Sequence, residues 1–467
     1  MRPSIAIEDP PPSDDPGEEI DERPKGGWHS ERKRPTLSEV FRTIAIPPNA
    51  PFWRHLLAFF GPGYLVAVGY MDPGNWATDI GGGALYSYRL MSVVLISSLL
   101  AVFLQALSAK LGIVTGRDLA QACRDSYSRP VSIFLWLSAE IAIVACDIAE
   151  VIGAAIALNL LFRIPMPLGV AITALDVLLV LALQHKGFRW IESLVMTLIA
   201  TMMVIFAIEL MYAHPDWFGV FSGCLPRREI VQNPQMLYIS LGILGATVMP
   251  HNLYLHSSIV QTRRHGYTLK ELRRSVQSAY TDSTVALTLA LFVNAAILIL
   301  AAAAFYKSGH RDVGDIQGAY KLLTPLLGAS LATPLFAVAL LASGQNSTLT
   351  GTMAGQVILE GFTHFQIPPW LRRMISRCIA IVPAFFAVTY FGSKGTGALI
   401  IFSQVVLSAQ LSFAVVPLMQ FTSNKQKMGP FVNGLATKLV GWLMAAAIAG
   451  LNIYLIWTTI FPPPGSH

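Results

Sequence analysis

The chain has 467 residues, of which 54% are hydrophobic and only 13% charged, whereas soluble globular domains average about 25% charged residues. The net charge of +6 does not indicate a nucleic-acid-binding protein, because the basic residues are divided between a tail and alternate loops. The four cysteines have no CxxC spacing, so neither a disulfide framework nor a thiolate metal site is predicted. Apolar stretches long enough to cross a bilayer recur from residue 56 to residue 461 and predict a multi-pass helical membrane protein.

The first 50 residues differ in composition from the rest of the chain. They are rich in Pro, Asp and Glu, a composition that cannot build a hydrophobic core, and they show no signal-peptide pattern. The basic cluster at 32–34 is interpreted as a solvated charge run. We predict a disordered N-terminal tail over residues 1–50 and a transmembrane domain over residues 51–467.

Hydropathy and turn signals predict eleven membrane spans. They lie near residues 56–84, 91–112, 131–162, 168–184, 190–212, 236–261, 281–305, 331–360, 374–391, 397–420 and 438–461. An odd number of spans places the two termini on opposite sides of the membrane. Loops on the side of the tail carry seventeen Lys and Arg residues against eight on the other side. The positive-inside rule therefore predicts a cytoplasmic N-terminus and an external C-terminus.

The first predicted span is interrupted by "MDPGN" at 71–75. Proline removes a backbone donor and clashes with the preceding turn, so it frees carbonyl oxygens, which hydrocarbon tolerates only where they are buried or line a cavity. Asp72, Asn75 and the carbonyl near Gly69 are therefore candidate cation ligands. The alternative is that Asp72 only caps a helix at the break. Asp79, in the same stretch, receives no role beyond a contact at a helix end or a gate.

The third predicted span carries three carboxylates. Glu140, Asp147 and Glu150 are spaced by seven and three residues, so they fall within about 80° of one helix face. Carboxylates are expensive in a membrane, and rows of them often mark proton relays. The competing interpretation is a structural ion-pair network with Arg377 of the ninth span, and the two interpretations are compatible.

The sixth predicted span has a matching interruption, "LGATVMPHNLYLH" at 244–256. Met249 and a carbonyl near Ala246 are the candidate ligands here, although a methionine in a membrane helix often only fills a gap. Two proline-interrupted helices five spans apart indicate an inverted-repeat transporter with its site at the midplane. The repeats would cover about 56–212 and 236–420, followed by an extra helix near 438–461.

Two histidines follow the second interruption. His251 and His256 are five residues apart, about 140° around a helix, so they cannot chelate one ion as a regular pair. His251 adjoins the break and titrates near neutrality, which favours a role in proton movement. His256 is interpreted either as a polar side chain packed between helices or as a further proton group.

The ligand types indicate the kind of ion. Carboxylate, amide and carbonyl oxygens suit hard cations, whereas a thioether suits softer transition metals, and a Mg²⁺ or Ca²⁺ site gains little from sulfur. Mn²⁺ or Fe²⁺ fits this mixture best. Gln404 in the tenth span could add an amide oxygen, and the small residues of "SGQNSTLTGTMAGQ" at 343–356 favour close helix packing.

Three stretches together resemble the signature elements of the Nramp family of divalent metal transporters, in particular its bacterial proton-coupled manganese transporters. They are "DPGN" at 72–75, "MPHN" at 249–252 and "GQNSTLTGTMAGQVILEGF" at 344–362, in which Asn346 replaces the usual serine. The resemblance extends over the chain from about residue 50. It implies an all-α, LeuT-like fold with 5+5 inverted repeats and alternating access.

The resemblance also implies roles for individual residues. The metal ligands would be Asp72, Asn75 and Met249 with the carbonyls of Gly69 and Ala246, joined in some states by Gln404. Proton movement would use Asp72, His251, Glu140, Asp147, Glu150 and Arg377.

The expected function is import of Mn²⁺, and also of Fe²⁺, Cd²⁺ and Co²⁺, by proton symport across a bacterial plasma membrane, with one chain sufficient. No enzymatic activity and no resident cofactor are expected. A Na⁺-coupled organic-solute symporter would require a roomier pocket. An intramembrane metallo-enzyme would require an HExxH motif or a comparable ligand cluster, and the sequence has neither.

Overall fold

The structure is a computed structural model, and it describes residues 28, 35–37, 40–46, 51–175, 188–264, 266, 268–309, 316 and 332–461. Helices dominate the described part of the chain. Up to residue 175 they are α1 (Phe52–Phe59), α2 (Pro62–Gly69), α3 (Pro73–Tyr86), α4 (Met91–Thr115), α5 (Leu119–Ser126), α6 (Arg129–Phe162) and α7 (Met166–Ile172). Two 3₁₀ turns, Ser87–Leu90 and Thr173–Leu175, complete this part.

The remaining helices form two groups. The first comprises α8 (Phe188–Ala213), α9 (Trp217–Gly223), α10 (Glu229–Gln232), α11 (Pro234–Val248), α12 (Pro250–Ile259) and α13 (Leu269–Ala301). The second comprises α14 (Ala332–Thr363), α15 (Pro369–Phe386), α16 (Gly392–Thr422), α17 (Lys425–Met428) and α18 (Leu435–Ile460). Short 3₁₀ and π turns extend four of them, at Val260–Thr262, Ala302–Tyr306, Ala387–Phe391 and Gly429–Phe431.

Every predicted span coincides with helix in the described part of the chain, so the expectation of an all-α membrane protein is confirmed. Residues 176–184 of the fourth predicted span lie outside the described residues. Eight helical stretches of the described chain are long and apolar enough to cross a membrane. The first and sixth spans are the two broken ones, as α2–α3 and α11–α12.

Two predicted boundaries were wrong, and both affect the charge count, since Lys270, Arg273 and Arg274 lie within the seventh helix. The ninth helix begins at Pro369 rather than 374, and the seventh begins at Leu269 rather than 281. Arg372, Arg373 and Arg377 were among the seventeen basic residues counted on the tail side, yet all three lie within α15 and are buried. Hydropathy windows exclude charged turns of a helix, which is why these arginines were assigned to a loop. The excess of basic residues on the tail side is therefore smaller than the count suggested.

Both helix breaks begin with a proline at the first position of the second half. The α2 helix ends at Gly69, and Asp72 caps α3 by accepting a hydrogen bond from the Asn75 N–H to Oδ1 over 2.9 Å. The α11 helix ends at Val248, and Met249 joins it to α12. Proline suits the first helical turn because its missing N–H would have no partner there.

Two glycines bring the broken helices close to their neighbours. A Cβ on Gly153 of α6 would lie 2.2 Å from the Pro73 Cβ, and a Cβ on Gly245 of α11 would lie 2.0 Å from the Gln404 carbonyl oxygen. Helix α6 also packs against α14, α15 and α16, while α13 packs against α2, α3 and α4. Because both positions are glycines, the two breaks can pack directly against α6 and α16.

Part of the predicted disordered tail is packed against the helices. Strand β1 (Ile44–Ala45) pairs in parallel with β2 (Arg263–Arg264). Thr36 donates a 2.8 Å hydrogen bond to Asp118, and the Leu37 N–H donates one of 3.1 Å to Glu360. The prediction of disorder is corrected at residues 28, 35–37 and 40–46, because their contacts are made with the ends of helices. The other residues of 1–50 lie outside the described chain.

Candidate metal and proton site

The two prolines leave equivalent carbonyl oxygens without a helical partner. In a continuous helix the Gly69 carbonyl would accept from the N–H of residue 73, and the Ala246 carbonyl from that of residue 250. Both of those residues are prolines, which have no N–H. Each break therefore deprives one of the two predicted ligand carbonyls of its helical hydrogen bond.

Asp72 combines a structural contact with an available oxygen. Its side chain is fully buried and its Oδ1 caps α3, so the capping alternative is realised. Its Oδ2 lies 4.0 Å from the sulfur of Cys146 on α6. A cap occupies one lone pair of a carboxylate that has about four acceptor positions. The capping role and a ligand role are thus compatible.

Two amide oxygens beside Asp72 have no donor. Asn75 Oδ1 and Gln404 Oε1 are both buried, and neither has a hydrogen-bond partner within the described part of the chain. Gln404 lies over the first turn of α3, since a Cβ on Gly74 would be 2.3 Å from its side-chain carbon. A buried acceptor without a partner costs about 1–3 kcal/mol. A bound cation would remove that cost.

Met249 reaches the same region from the other broken helix. It is fully buried and packs in a small cluster with Ala142, Cys146 and Leu407. Cys146 thus belongs to the same cluster as Met249 and also lies 4.0 Å from Asp72. The structure therefore brings the predicted ligands of both breaks to one place on α6, and it adds a thiol that sequence reasoning had treated only as a small hydrophobe.

The carboxylates of α6 face arginines of α15. Arg373 contacts Asp147 through Nη1, and its Nη2 lies 2.7 Å from Glu150. Arg377, the predicted partner, lies 3.3 Å from Glu150 through Nη2, and its Nη1 donates to the Asp147 backbone carbonyl over 3.3 Å. The charges of two buried carboxylates and two buried guanidinium groups therefore offset one another.

Several members of this network were not assigned from the sequence. Arg373 makes the principal ion pairs, Arg372 binds Glu140 over 2.7 Å, and Ser347 donates to Glu150. The i, i+4 spacing of Arg373 and Arg377 was the signal that could have shown both on one helix face. Glu140 is the least buried of the three carboxylates, with 26% of its side chain exposed.

The thiol of Cys146 lies between the candidate ligand Asp72 and this charged network. Cys146 Sγ lies 3.8 Å from Glu150 Oε1 as well as 4.0 Å from Asp72 Oδ2. The two carboxylates therefore share one neighbour.

The two histidines lie in different surroundings. His251 is the second residue of α12 and is buried, and its Nδ1 has no partner among the residues described. His256 Nδ1 is 3.0 Å from Gln105 Oε1, and Gln105 in turn donates to the Tyr70 hydroxyl over 2.6 Å. His256 is thus part of a hydrogen-bonded chain that links α12 to α4 and to the first break, while His251 adjoins the second break.

Asp79 lies within α3 rather than at its end, because α3 continues to Tyr86. It is buried, and both of its carboxylate oxygens are without a hydrogen-bond partner in the described chain. The expectation that Asp79 makes a contact at a helix end is therefore wrong.

A cage of protein ligands of the usual zinc type is absent from the described residues, where no group of three or more His, Cys, Asp or Glu is placed to hold a metal. The site that the structure assembles combines a carboxylate, amides, carbonyls and a thioether.

Comparison with known protein families places this geometry in context. The model of the Nramp family, described as natural resistance-associated macrophage protein-like, matches residues 63–458. The divalent metal cation transporter MntH of Listeria innocua is 59% identical over 439 residues, which cover 94% of this chain and 98% of that protein. The MntH protein of Nostoc sp. is 57% identical over 428 residues, covering 92% and 97%.

Comparison with solved structures agrees with the match to the family model. The Eremococcus coleocola manganese transporter, in complex with an aromatic bis-isothiourea substituted compound, superposes with a TM-score of 0.84 and 43% sequence identity. That match covers 93% of this chain and 94% of that one. The inward-facing conformation of Mhp1 superposes with a TM-score of 0.53 at 14% identity, covering 93% and 95% of the two chains. The second likeness concerns the fold alone.

Proposed function

Because this chain belongs to the Nramp family and is a multi-pass transporter of divalent metal cations, we propose that it imports Mn²⁺ by proton symport. Fe²⁺, Cd²⁺ and Co²⁺ would be further substrates. The family assignment replaces the organic-solute symporter considered from the sequence. The N-terminus would be cytoplasmic, the C-terminus external, and one chain would be sufficient for transport.

The observation that carries the proposal is the convergence of two helix breaks on unpaired oxygens and one sulfur. Asn75 Oδ1 and Gln404 Oε1 have no partner in the described chain, and Met249 packs beside Cys146, which lies next to Asp72. Oxygen ligands suit any divalent cation, whereas the thioether favours the softer ones. The combination supports Mn²⁺, Fe²⁺ or Cd²⁺ over Ca²⁺ and Mg²⁺. The carbonyls of Gly69 and Ala246 would complete the ligand set.

The position of the two breaks supports alternating access. Broken helices in corresponding positions of two inverted repeats form the substrate site in many transporters, and the repeats then rock around it. The breaks α2–α3 and α11–α12 occupy these positions. In the proposed movement, both repeats remain in contact with the ion while the ends of the repeats that are far from the ion separate.

The proposed proton route starts at Asp72. When a divalent cation binds, it favours the ionised carboxylate, and the released proton passes by way of Cys146 to Glu150. Asp147, Arg373 and Arg377 would hold the negative charge of Glu150 in place until the proton arrives. His251 beside the second break, with Glu140 and His256 further along the helices, would be additional groups of this pathway.

The test is uptake by proteoliposomes that contain the purified chain and a pH-sensitive dye. Mn²⁺ entry should acidify the vesicle interior, and the rate should rise with an inward proton gradient. Ca²⁺ and Mg²⁺ at the same concentration should produce little flux. Metal uptake without acidification would reject symport, and equal rates for Mn²⁺ and Ca²⁺ would reject the proposed selectivity.

A further inference from the structure

The two helix breaks carry residues in equivalent positions, and one of these residues has no role in the site as described so far. The segments 72–75 and 249–252 read Asp-Pro-Gly-Asn and Met-Pro-His-Asn. Asn75 and Asn252 therefore occupy equivalent positions, each two residues after the proline. Asn75 is a proposed ligand of the ion. Asn252 is the remaining member of the pair.

Asn252 connects the two breaks. It is fully buried, and its Nδ2 lies 3.7 Å from Met249 Sδ. The same Nδ2 would be 2.2 Å from a Cβ on Gly69, so the amide lies directly against the backbone that ends α2. The amide of Asn252 thus occupies the space that a side chain at position 69 would need, and it donates to the thioether of the second break.

The hydrogen bond to sulfur has a consequence for the flexible Met249 side chain. Methionine has three rotatable side-chain bonds and adapts to irregular spaces, so its sulfur is not fixed by packing alone. The thioether is a weak acceptor. A bond from Asn252 to one lone pair orients the sulfur and leaves another lone pair for a metal. Neighbours of metal ligands act in this way in many sites.

We propose that Asn252 is a positioning residue that holds the Met249 thioether ready for soft divalent cations and thereby sets the preference of the transporter for them over Ca²⁺. This inference rests on the proposed function, which makes Met249 a ligand. Gly69 is part of the same device, because only a residue without a Cβ leaves room for the amide.

The experiment compares Asn252→Ala, Asn252→Leu and Gly69→Ala with Met249→Ala and the double variant Met249→Ala/Asn252→Ala. Asn252→Leu keeps the volume against Gly69 but has no donor. Initial uptake rates of Cd²⁺, Mn²⁺ and Ca²⁺ into proteoliposomes give KM and kcat for each ion. The shift in thermal unfolding temperature on adding each metal to the detergent-solubilised chain reports binding without turnover.

Each Asn252 variant should raise the KM for Cd²⁺ about tenfold, the lower end of the effect of removing a partner of a metal ligand, with little change for Ca²⁺. Gly69→Ala should reproduce this result. In the Met249→Ala background, Asn252→Ala should change the Cd²⁺/Ca²⁺ ratio no further.

Three outcomes would overturn the inference. If Met249→Ala lowers the Cd²⁺/Ca²⁺ ratio while the Asn252 and Gly69 variants keep it, Asn252 does not position the sulfur. If Asn252→Ala lowers the ratio equally with and without Met249, it acts by another route. If Met249→Ala itself leaves the ratio unchanged, the ligand assignment of the proposed function fails and this inference with it.

Discussion

Cys146 Sγ lies 4.0 Å from Asp72 Oδ2 and places the helix break of the first repeat beside the charged network of α6 and α15. The same sulfur lies 3.8 Å from Glu150 Oε1. A side chain of this size fills the space between two carboxylates that would otherwise face one another. The contact would join the proposed metal site and the proposed proton route in one place.

Replacing Cys146 tests that junction. Cys146→Val keeps the approximate volume but removes the polar hydrogen, so protons transported per Mn²⁺ should fall while metal uptake persists. Cys146→Ser should retain coupling, because a hydroxyl also donates and accepts hydrogen bonds. Simultaneous records of Mn²⁺ flux and vesicle pH give the ratio. Cys378→Ser is the matched control, since this cysteine is exposed. An unchanged ratio in Cys146→Val would show that the thiol carries no proton.

Removing the Met249 sulfur tests the selectivity of the site. Met249→Ala should raise the KM for Mn²⁺ and Cd²⁺ at least about tenfold, as loss of a metal-site contact does. Ca²⁺ and Mg²⁺ should be tolerated better, because these ions gain little from a thioether. Competition of each ion against Mn²⁺ uptake measures both effects. Unchanged competition profiles would remove Met249 from the ligand set.

Arg373 should contribute more to stability than any exposed arginine. Arg373→Gln leaves Asp147 and Glu150 without their principal counter-ion, and loss of one partner of a buried pair costs about 3–5 kcal/mol. The control is Arg89→Gln, whose exposed ion pair with Glu229 should contribute no more than about 1 kcal/mol. Thermal unfolding of both variants in detergent provides the comparison. Equal losses of stability would mean that the buried ion pairs of Arg373 contribute no more than the exposed pair of Arg89.

Asp118 gives a prediction about pH. Burial raises the pKa of this carboxyl from 3.8 to about 6, although hydrogen bonds from the Gln121 N–H and the Thr36 hydroxyl oppose the rise. The folded chain therefore binds more protons than the unfolded chain between these values, and stability falls as pH rises from about 4 to about 6. The loss assigned to this group is about 3 kcal/mol. Asp118→Asn, which still caps α5, should lack that part of the loss.

The measurement for Asp118 is the difference in unfolding temperature between wild type and Asp118→Asn at several pH values. Groups common to both chains cancel in this difference. The wild type should lose stability relative to the variant as pH rises towards 6. Parallel curves would indicate that the carboxyl titrates alike in the folded and unfolded chains.

The two helix breaks were easier to predict than the charged network beside them. Pro73 and Pro250 interrupt apolar stretches, so each marks the helix break on which Asp72, Asn75 and Met249 lie. Arg373 gives no such signal, because a charged first turn reads as a loop in a hydropathy profile. Its partners on α6 precede it by more than two hundred residues, and only tertiary packing brings them together. The packing of Cys146 beside both groups likewise depends on the rotation of α6 against α3.

The packed segment around Trp28 and Thr36 has a practical consequence for anyone who prepares this protein. Trp28 lies between the Arg117 and Lys427 side chains, 4.0 Å and 4.1 Å from them, and its N–H donates to the Lys427 carbonyl. Purification tags and protease sites that replace the first residues should end before Trp28. A shorter chain would expose Arg117 after α4 and Lys427 in α17, and its detergent behaviour would not represent that of the intact transporter.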